Sequence, residues 1–316
     1  MILETIVWFA IAFYTSWGIG ANDETMAMAA AGSSWSINRV AIIGAIFACI
    51  GAILFGQIVE KTIGTELLLI KITHQTCLTI VVSTAIWLTV ASWFGWPVST
   101  THTALGAVMG FGIMAGGFQT INWQGFSSAI LGWLFSPFIG LLVSFVTCYV
   151  ANFLGKTLDG ASSRNEKVWM YLSFLIALLT EFWRGANDVG NATAFLRVIF
   201  FDSLIPRMIG GIGMAVGIIV LGRRVIFTVG TRITRLAPSA TFLTQVATVL
   251  VIAVGTLMGL PLSGTHILVG SVLGAGFAVK SEINFEVVAR VIFAWFFTFP
   301  AGALFAMLVT YIFTLL

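Results

Sequence analysis

The chain has 316 residues, 59% hydrophobic and only 9% charged, whereas soluble domains carry about a quarter charged residues. With a mean hydropathy of +1.05 it reads as an all-α integral membrane protein embedded in the lipid bilayer, and a formal net charge of +3 is too small for a nucleic-acid-binding surface. Cys49, Cys77 and Cys148 fall singly in apolar stretches, which suits buried thiols better than a disulfide or metal framework.

In chain order, an apolar helix covers about 2–19, and Met1-Ile2-Leu3-Glu4 lacks the basic region of a cleaved leader. The small residues at 18–20 predict a break, followed by a short helix near 22–34. A span follows over 40–59, then a segment over 66–95 whose start is more polar (Lys71, His74, Gln75). Residues 97–117 begin with Pro, are Gly-rich and are short for a crossing, which suits a re-entrant or broken helix. Residues 123–154 form one kinked span or two short ones, because Pro137 interrupts the apolar run. The polar stretch 155–167 reads as a connector. After it the plan repeats over 167–200, 206–222, 225–259, 261–280 and 286–316, the last containing Pro300, for ten to twelve membrane segments in all.

Two motifs recur. Gly20-Ala21-Asn22-Asp23 returns as Gly185-Ala186-Asn187-Asp188, and Pro97-Val98-Ser99-Thr100-Thr101-His102 returns as Pro261-Leu262-Ser263-Gly264-Thr265-His266. Asp23 and His102 stand 79 positions apart, Asp188 and His266 78, so two unlike motifs repeat in one order at nearly one spacing. This indicates an internal duplication into repeats 1–154 and 168–316, joined by 155–167. Arg223, Arg224, Arg232 and Arg235 cluster on the connector's side, together with Lys156, Arg164 and Lys167, which predicts a cytoplasmic connector and both termini outside. An odd number of crossings per half then gives two inverted-topology repeats.

A carboxylate at membrane depth is costly and marks a functional site. Asn22 and Asp23, like Asn187 and Asp188, can cap a restarting helix. Unwound carbonyls with a carboxylate hold Na⁺ or H⁺, and free N–H groups at a half-helix start attract an anion. In the second motif Pro starts a helix and the Ser and Thr hydroxyls cap it. Four such termini at one midplane site suit a small oxyanion accompanied by cations. The competing reading is ordinary membrane packing: hydroxyls back-bond to their own helix and glycines allow close contact. His102 and His266 suit hydrogen bonding or capping, and His74 an interface. Glu24 and Glu181 flank the motifs. Arg184 is better placed to pair with Glu181 at i, i+3 than to charge an anion site. Trp17 and Trp183 fit packing or a cavity wall equally well.

The paired Gly-Ala-Asn-Asp motifs, the second continuing Val189-Gly190-Asn191-Ala192, together with the Pro-Val-Ser-Thr-Thr-His segment, resemble the inorganic phosphate transporter (PiT) family over nearly the whole chain. The resemblance implies an inverted-repeat transporter importing inorganic phosphate with Na⁺ or, in some branches, H⁺. It implies no other cofactor, with residence in the plasma membrane and a homodimer as expectations. Carried over, the phosphate ligands are Asn22, Asp23, Ser99, Thr100, Thr101, Asn187, Asp188, Ser263 and Thr265. The Na⁺ ligands are Asp23, Asp188, Asn22 and Asn187, with Glu24, Thr25, Arg184, Asn191, His102 and His266 as accessory candidates. Three departures stand out. The first motif continues as Glu24-Thr25-Met26-Ala27, losing an Asn. Gly264 replaces an expected Thr, and Arg184 stands where many relatives have His.

An ionised Asp accepts a hydrogen bond from a protonated phosphate but repels sulfate, which has no proton, unless a cation intervenes. Moving a dianion against an inside-negative potential costs roughly 4–5 kcal/mol per 100 mV, which two Na⁺ would offset. The alternatives are a permease for sulfate or another oxyanion, a passive anion channel, and an intramembrane protease using Ser263 and His266. The sequence disfavours the protease, because the glycine expected two before the serine is missing and the duplicate at Ser99–His102 makes little sense for a single dyad; no HExxH motif suggests a metalloprotease either.

Overall fold

In hydrocarbon every backbone polar group needs an internal partner, and helices supply it. The computed structural model describes residues 2–23, 25–26, 36–96, 98–154, 163–200, 204–222, 225 and 233–315. Outside these lie Glu24, Pro97, most of the expected 22–34 helix, residues 155–162 of the connector, and Arg223, Arg224 and Arg232.

The first half holds α1 (Ile2–Ala21), α2 (Ile37–Phe55), α3 (Gln57–Thr65), α4 (His74–Trp93), α5 (Thr100–Gly116) and α6 (Trp123–Phe153). The second holds α7 (Ser163–Asp188), α8 (Gly190–Phe200), α9 (Leu204–Gly217) with a π turn at Ile218–Gly222, α10 (Pro238–Leu257), α11 (Gly264–Ala278) and α12 (Phe285–Leu315). Two isolated antiparallel bridges, Leu68 to Ile121 and Thr234 to Ile283, sit at matching places in the two halves. Six helices among the described residues are long and apolar enough to cross a bilayer: α2, α4, α6, α9 with its π turn, α10 and α12. At 17 and 15 residues, α5 and α11 span only about 25 and 22 Å, short of a roughly 30 Å hydrocarbon core. Phe135, Phe138 and Leu142 on α6 and Phe293, Phe296 and Leu304 on α12 are exposed, as a lipid-facing surface requires.

Several boundaries differ from the sequence reading. The expected break at 18–20 is not there: α1 runs through to Ala21. A Cβ at Gly20 would meet the Met214 carbonyl of α9, and one at Gly185 the Ala48 carbonyl of α2. The motif glycines are therefore helix-contact positions, and this is why they are small. The 66–95 segment becomes helical only at His74, where Thr73 and Thr76 form a capping box. Before that, Leu69 N–H bonds the Thr120 carbonyl at 2.8 Å and Asn122 N–H the Leu67 carbonyl at 3.0 Å. Residues 123–153 form one helix with Pro137 inside it.

The two halves interlock. α5 packs on α12, and α11 on α6. Gly106 and Gly110 abut the carbonyls of Phe299 and Ala303, while Gly270 and Gly274 abut those of Pro137 and Leu141. Such small-xxx-small stripes let backbones approach where no hydrophobic force drives helices together. The contact is reciprocal, since Gly140 and Gly302 lie against the carbonyls of Ile267 and Thr103. A Gly110→Val or Gly274→Val change should therefore lower stability by about 1–3 kcal/mol or more, read as a drop in detergent melting temperature. Gly132→Ala, whose Cβ would meet only a Leu262 methyl at 3.4 Å, should leave it nearly unchanged.

Candidate functional site

The ends of α1 and α7 carry the Asn-Asp pairs, and α5 and α11 start beside them. The two asparagines do the same job in each half. Asn22 Nδ2 donates to the Trp96 carbonyl (2.8 Å) and to Ser92 Oγ (3.2 Å), while its Oδ1 accepts the Val98 N–H (3.0 Å). Asn187 Nδ2 donates to the Leu260 carbonyl (2.9 Å) and to Thr256 Oγ1 (2.9 Å), while its Oδ1 accepts the Leu262 N–H (3.1 Å). Each amide thus satisfies the backbone of the turn that precedes a half-helix, groups a proline-bearing turn cannot pair within itself.

Ser99 and Ser263 are the N-caps, accepting the N–H of His102 (3.1 Å) and His266 (3.4 Å). The N–H groups of Thr100 and Thr101, and of Gly264 and Thr265, stand in first turns that offer no intrahelical acceptor. The starts are also tied to each other: Thr101 Oγ1 donates to the Leu262 carbonyl (2.8 Å) and Thr265 Oγ1 to the Val98 carbonyl (3.3 Å).

Arg184 crosses between the two halves of the chain. The sequence favoured a pair with Glu181; the structure carries the guanidinium also to both motif carboxylates. Its Nε lies 3.2 Å from Asp188 Oδ2 and its Nη1 3.3 Å from Asp23 Oδ1. Nη1 also donates to Thr25 Oγ1 (3.1 Å) and Nη2 to Thr265 Oγ1 (3.3 Å). The Thr25 N–H donates to Asp23 Oδ1 at 2.8 Å. Asn191 Nδ2 approaches Thr101 Oγ1 at 3.4 Å. Asp23 Oδ2, Asp188 Oδ1 and Asn191 Oδ1 are buried without a hydrogen-bond partner among the described residues. All nine carried-over ligand positions are at most 2% exposed.

The structure brings together Asn22, Asp23, Thr25, Ser99, Thr101, Arg184, Asn187, Asp188, Asn191, Ser263 and Thr265, with Thr100 buried at the start of α5. His102 and His266 are instead brought to each other, with ring centroids 4.5 Å apart, and each packs on a tryptophan, Trp133 and Trp295 respectively. They line an apolar cavity of about 630 Å³ beside Pro137 and Pro300. Trp17 stacks on Tyr14, Trp183 packs on Phe55 and Phe182, and His74 meets Trp8 edge-on.

Two polar features were not legible in the sequence. Gln245 Nε2 reaches the Thr25 carbonyl at 3.4 Å. Glu60, fully buried, accepts from Thr193 at 2.6 Å and lies 4.0 Å from Arg207 Nε. Neither recurs at the repeat spacing, so the duplication gave no signal for them.

Replacing Asn187 by Leu keeps volume and strands the Leu260 carbonyl and Leu262 N–H; at about 1–3 kcal/mol per stranded buried group, a clear fall in melting temperature should follow.

The sequence profile of the phosphate transporter family matches residues 19–306. A protein of Chlamydia pneumoniae named as a phosphate permease is 31% identical, covering 94% of this chain and 95% of its own length. The chloroplast inorganic phosphate transporter 2-1 of Arabidopsis thaliana is 27% identical over 96% of this chain and 71% of its own. A solved structure of a sodium-dependent phosphate transporter superposes with a TM-score of 0.88 at 25% identity, covering 98% of this chain and 99% of that one. The match spans both halves of the chain and every motif of the site, and the chain belongs to the phosphate transporter family.

Proposed function

We propose that this multi-pass membrane protein imports inorganic phosphate coupled to Na⁺, with H⁺ as the alternative coupling ion, by alternating access of two inverted repeats, 1–154 and 168–316. The connector 155–167 is cytoplasmic, both termini lie outside, the membrane is the plasma membrane, and the assembly is a homodimer. The observation that carries the reading is a pair of buried carboxylates, each with an oxygen left for a ligand, joined through Arg184 to the first turn of α11.

The chemistry follows from that arrangement. First-turn N–H groups of α5 and α11 and the hydroxyls of Ser99, Thr100 and Ser263 supply donors to a tetrahedral oxyanion, and those of Thr101 and Thr265 join them once they release the Leu262 and Val98 carbonyls. Asp23 Oδ2 and Asp188 Oδ1 accept from a P–OH group or hold Na⁺. Asn22 and Asn187 contribute mainly by fixing the half-helix starts, with one lone pair of each Oδ1 left for a cation. The sodium dependence named for the structural relative supports Na⁺. Thr101 and Thr265, which hold each other's strands, are suited to part when one repeat moves on the other.

In proteoliposomes, labelled phosphate uptake should depend on a Na⁺ or H⁺ gradient and be competed by arsenate but not by sulfate. Equal competition by sulfate would favour a general oxyanion permease. Asp23→Asn and Asp188→Asn keep shape and remove charge from a buried ion cluster. At about 3–5 kcal/mol for such a loss, uptake should fall by roughly 10²-fold or more in each. Wild-type rates in either variant would remove that carboxylate from the mechanism.

A further inference from the structure

Among the positions at which the two copies of the site differ, two bear on the charge at its centre. Position 19 in the first copy corresponds to 184 in the second, and 100 to 264, because Gly20 aligns with Gly185 and Ser99 with Ser263. The first copy has Ile19 and Thr100; the second has Arg184 and Gly264. These two departures meet in space. A Cβ on residue 264 would stand 2.8 Å from Arg184 Nε, 2.9 Å from Cδ and 3.1 Å from Cζ. Gly264 thus clears the volume that the guanidinium fills, and the hydroxyl lost there is replaced by the Arg184 Nη2 donor on Thr265.

The guanidinium lies between the motif carboxylates, on one oxygen of each, at 2% exposure. A Na⁺ ion held by the two motifs would lie in this same region. Arg184 cannot leave with the substrate, and its charge is fixed at any working pH. Resting on the phosphate-transport reading, we propose that Arg184 is a tethered counter-ion standing in for one coupling cation, so that each phosphate is carried with one cation fewer than the same site would need without the guanidinium.

The oxygens that remain fit this count. Asp23 Oδ2, Asp188 Oδ1 and Asn191 Oδ1 are partnerless among the described residues and buried to 98% or more, an acceptor set for a single mobile cation or a protonated phosphate oxygen. The other groups at the cluster include, among the described residues, Thr25, Thr265, the Thr100 hydroxyl beside Asp188 and, one turn earlier on α7, the buried Glu181; Glu24 lies outside the described residues. These groups set the absolute number of cations but are common to the wild type and the variants, so the difference reads Arg184 alone.

The test is labelled phosphate uptake in proteoliposomes of the full chain, with Na⁺ varied at fixed pH and pH varied at fixed Na⁺. Wild type, Arg184→Gln, Arg184→Lys and Gly264→Ala are compared. Arg184→Gln should transport, with the Hill coefficient for the coupling cation raised by about one and the half-saturating concentration shifted up. Arg184→Lys, which keeps the charge, should retain the wild-type slope. Gly264→Ala leaves the arginine in place but pushes its head away, so its slope should rise toward that of Arg184→Gln. The proposal is overturned if Arg184→Gln shows the wild-type cation slope, or if it folds, by size exclusion and melting, yet moves no phosphate at any cation concentration. If Arg184→Gln does not fold, an unchanged slope in Gly264→Ala overturns it. Should wild type move a different oxyanion and no phosphate, the functional reading fails separately, and the same slopes measured with that anion still decide the role of Arg184.

Discussion

Two carboxylates buried in a membrane protein are tenable only if charge and hydrogen bonds compensate them, and here one guanidinium reaches both. Much of the site's arrangement follows from that constraint. Arg184 comes from the second half of the chain and Asp23 from the first, so neither half can form the cluster alone. The glycines of the two motifs bring α1 onto α9 and α7 onto α2, which packs the motif-bearing helix ends closely against their neighbours. The asparagine beside each Asp then fixes the turn from which a short, dipole-bearing helix starts.

The half-helices are held on two sides. At their starts Thr101 and Thr265 each donate a hydrogen bond to the segment preceding the other, and along their lengths glycine stripes press them onto α12 and α6. The apolar residues around the cluster, Ile19, Leu88, Val98, Val189 and Met214, are buried and keep the local dielectric low. Low dielectric strengthens the ion pairs and makes each unpartnered acceptor costly until a ligand meets it. The result is a site with a firm frame and a few unsatisfied oxygens at its centre.

Much of this was legible in the sequence because duplication acts as an internal control. Two motifs at matching spacing located the carboxylates, the hydroxyl caps and the half-helices 97–117 and 261–280 to within a few residues. What spacing does not carry is what each atom touches. Gly20 read as a point of unwinding because small residues permit it, yet the close helix crossing there demands the same residue. The reach of Arg184 to Asp23 was missed because sequence displays near neighbours such as Glu181 and hides a partner 161 positions away. Glu60 with Thr193 and Arg207 left no trace, since three residues from three helices share no period.

The inequality of the copies was visible as three separate oddities, and two of them are one. Arg184 and Gly264 form a single steric and electrostatic substitution for Ile19 and Thr100. The central claim, that both repeats build one oxyanion site around this cluster, is open to direct observation. Anomalous diffraction from crystals grown with arsenate, a tetrahedral phosphate mimic with its own absorption edge, should place a single peak among Asp23, Asp188 and the first turns of α5 and α11. An arsenic peak elsewhere, with that cluster unchanged and empty, would contradict the account.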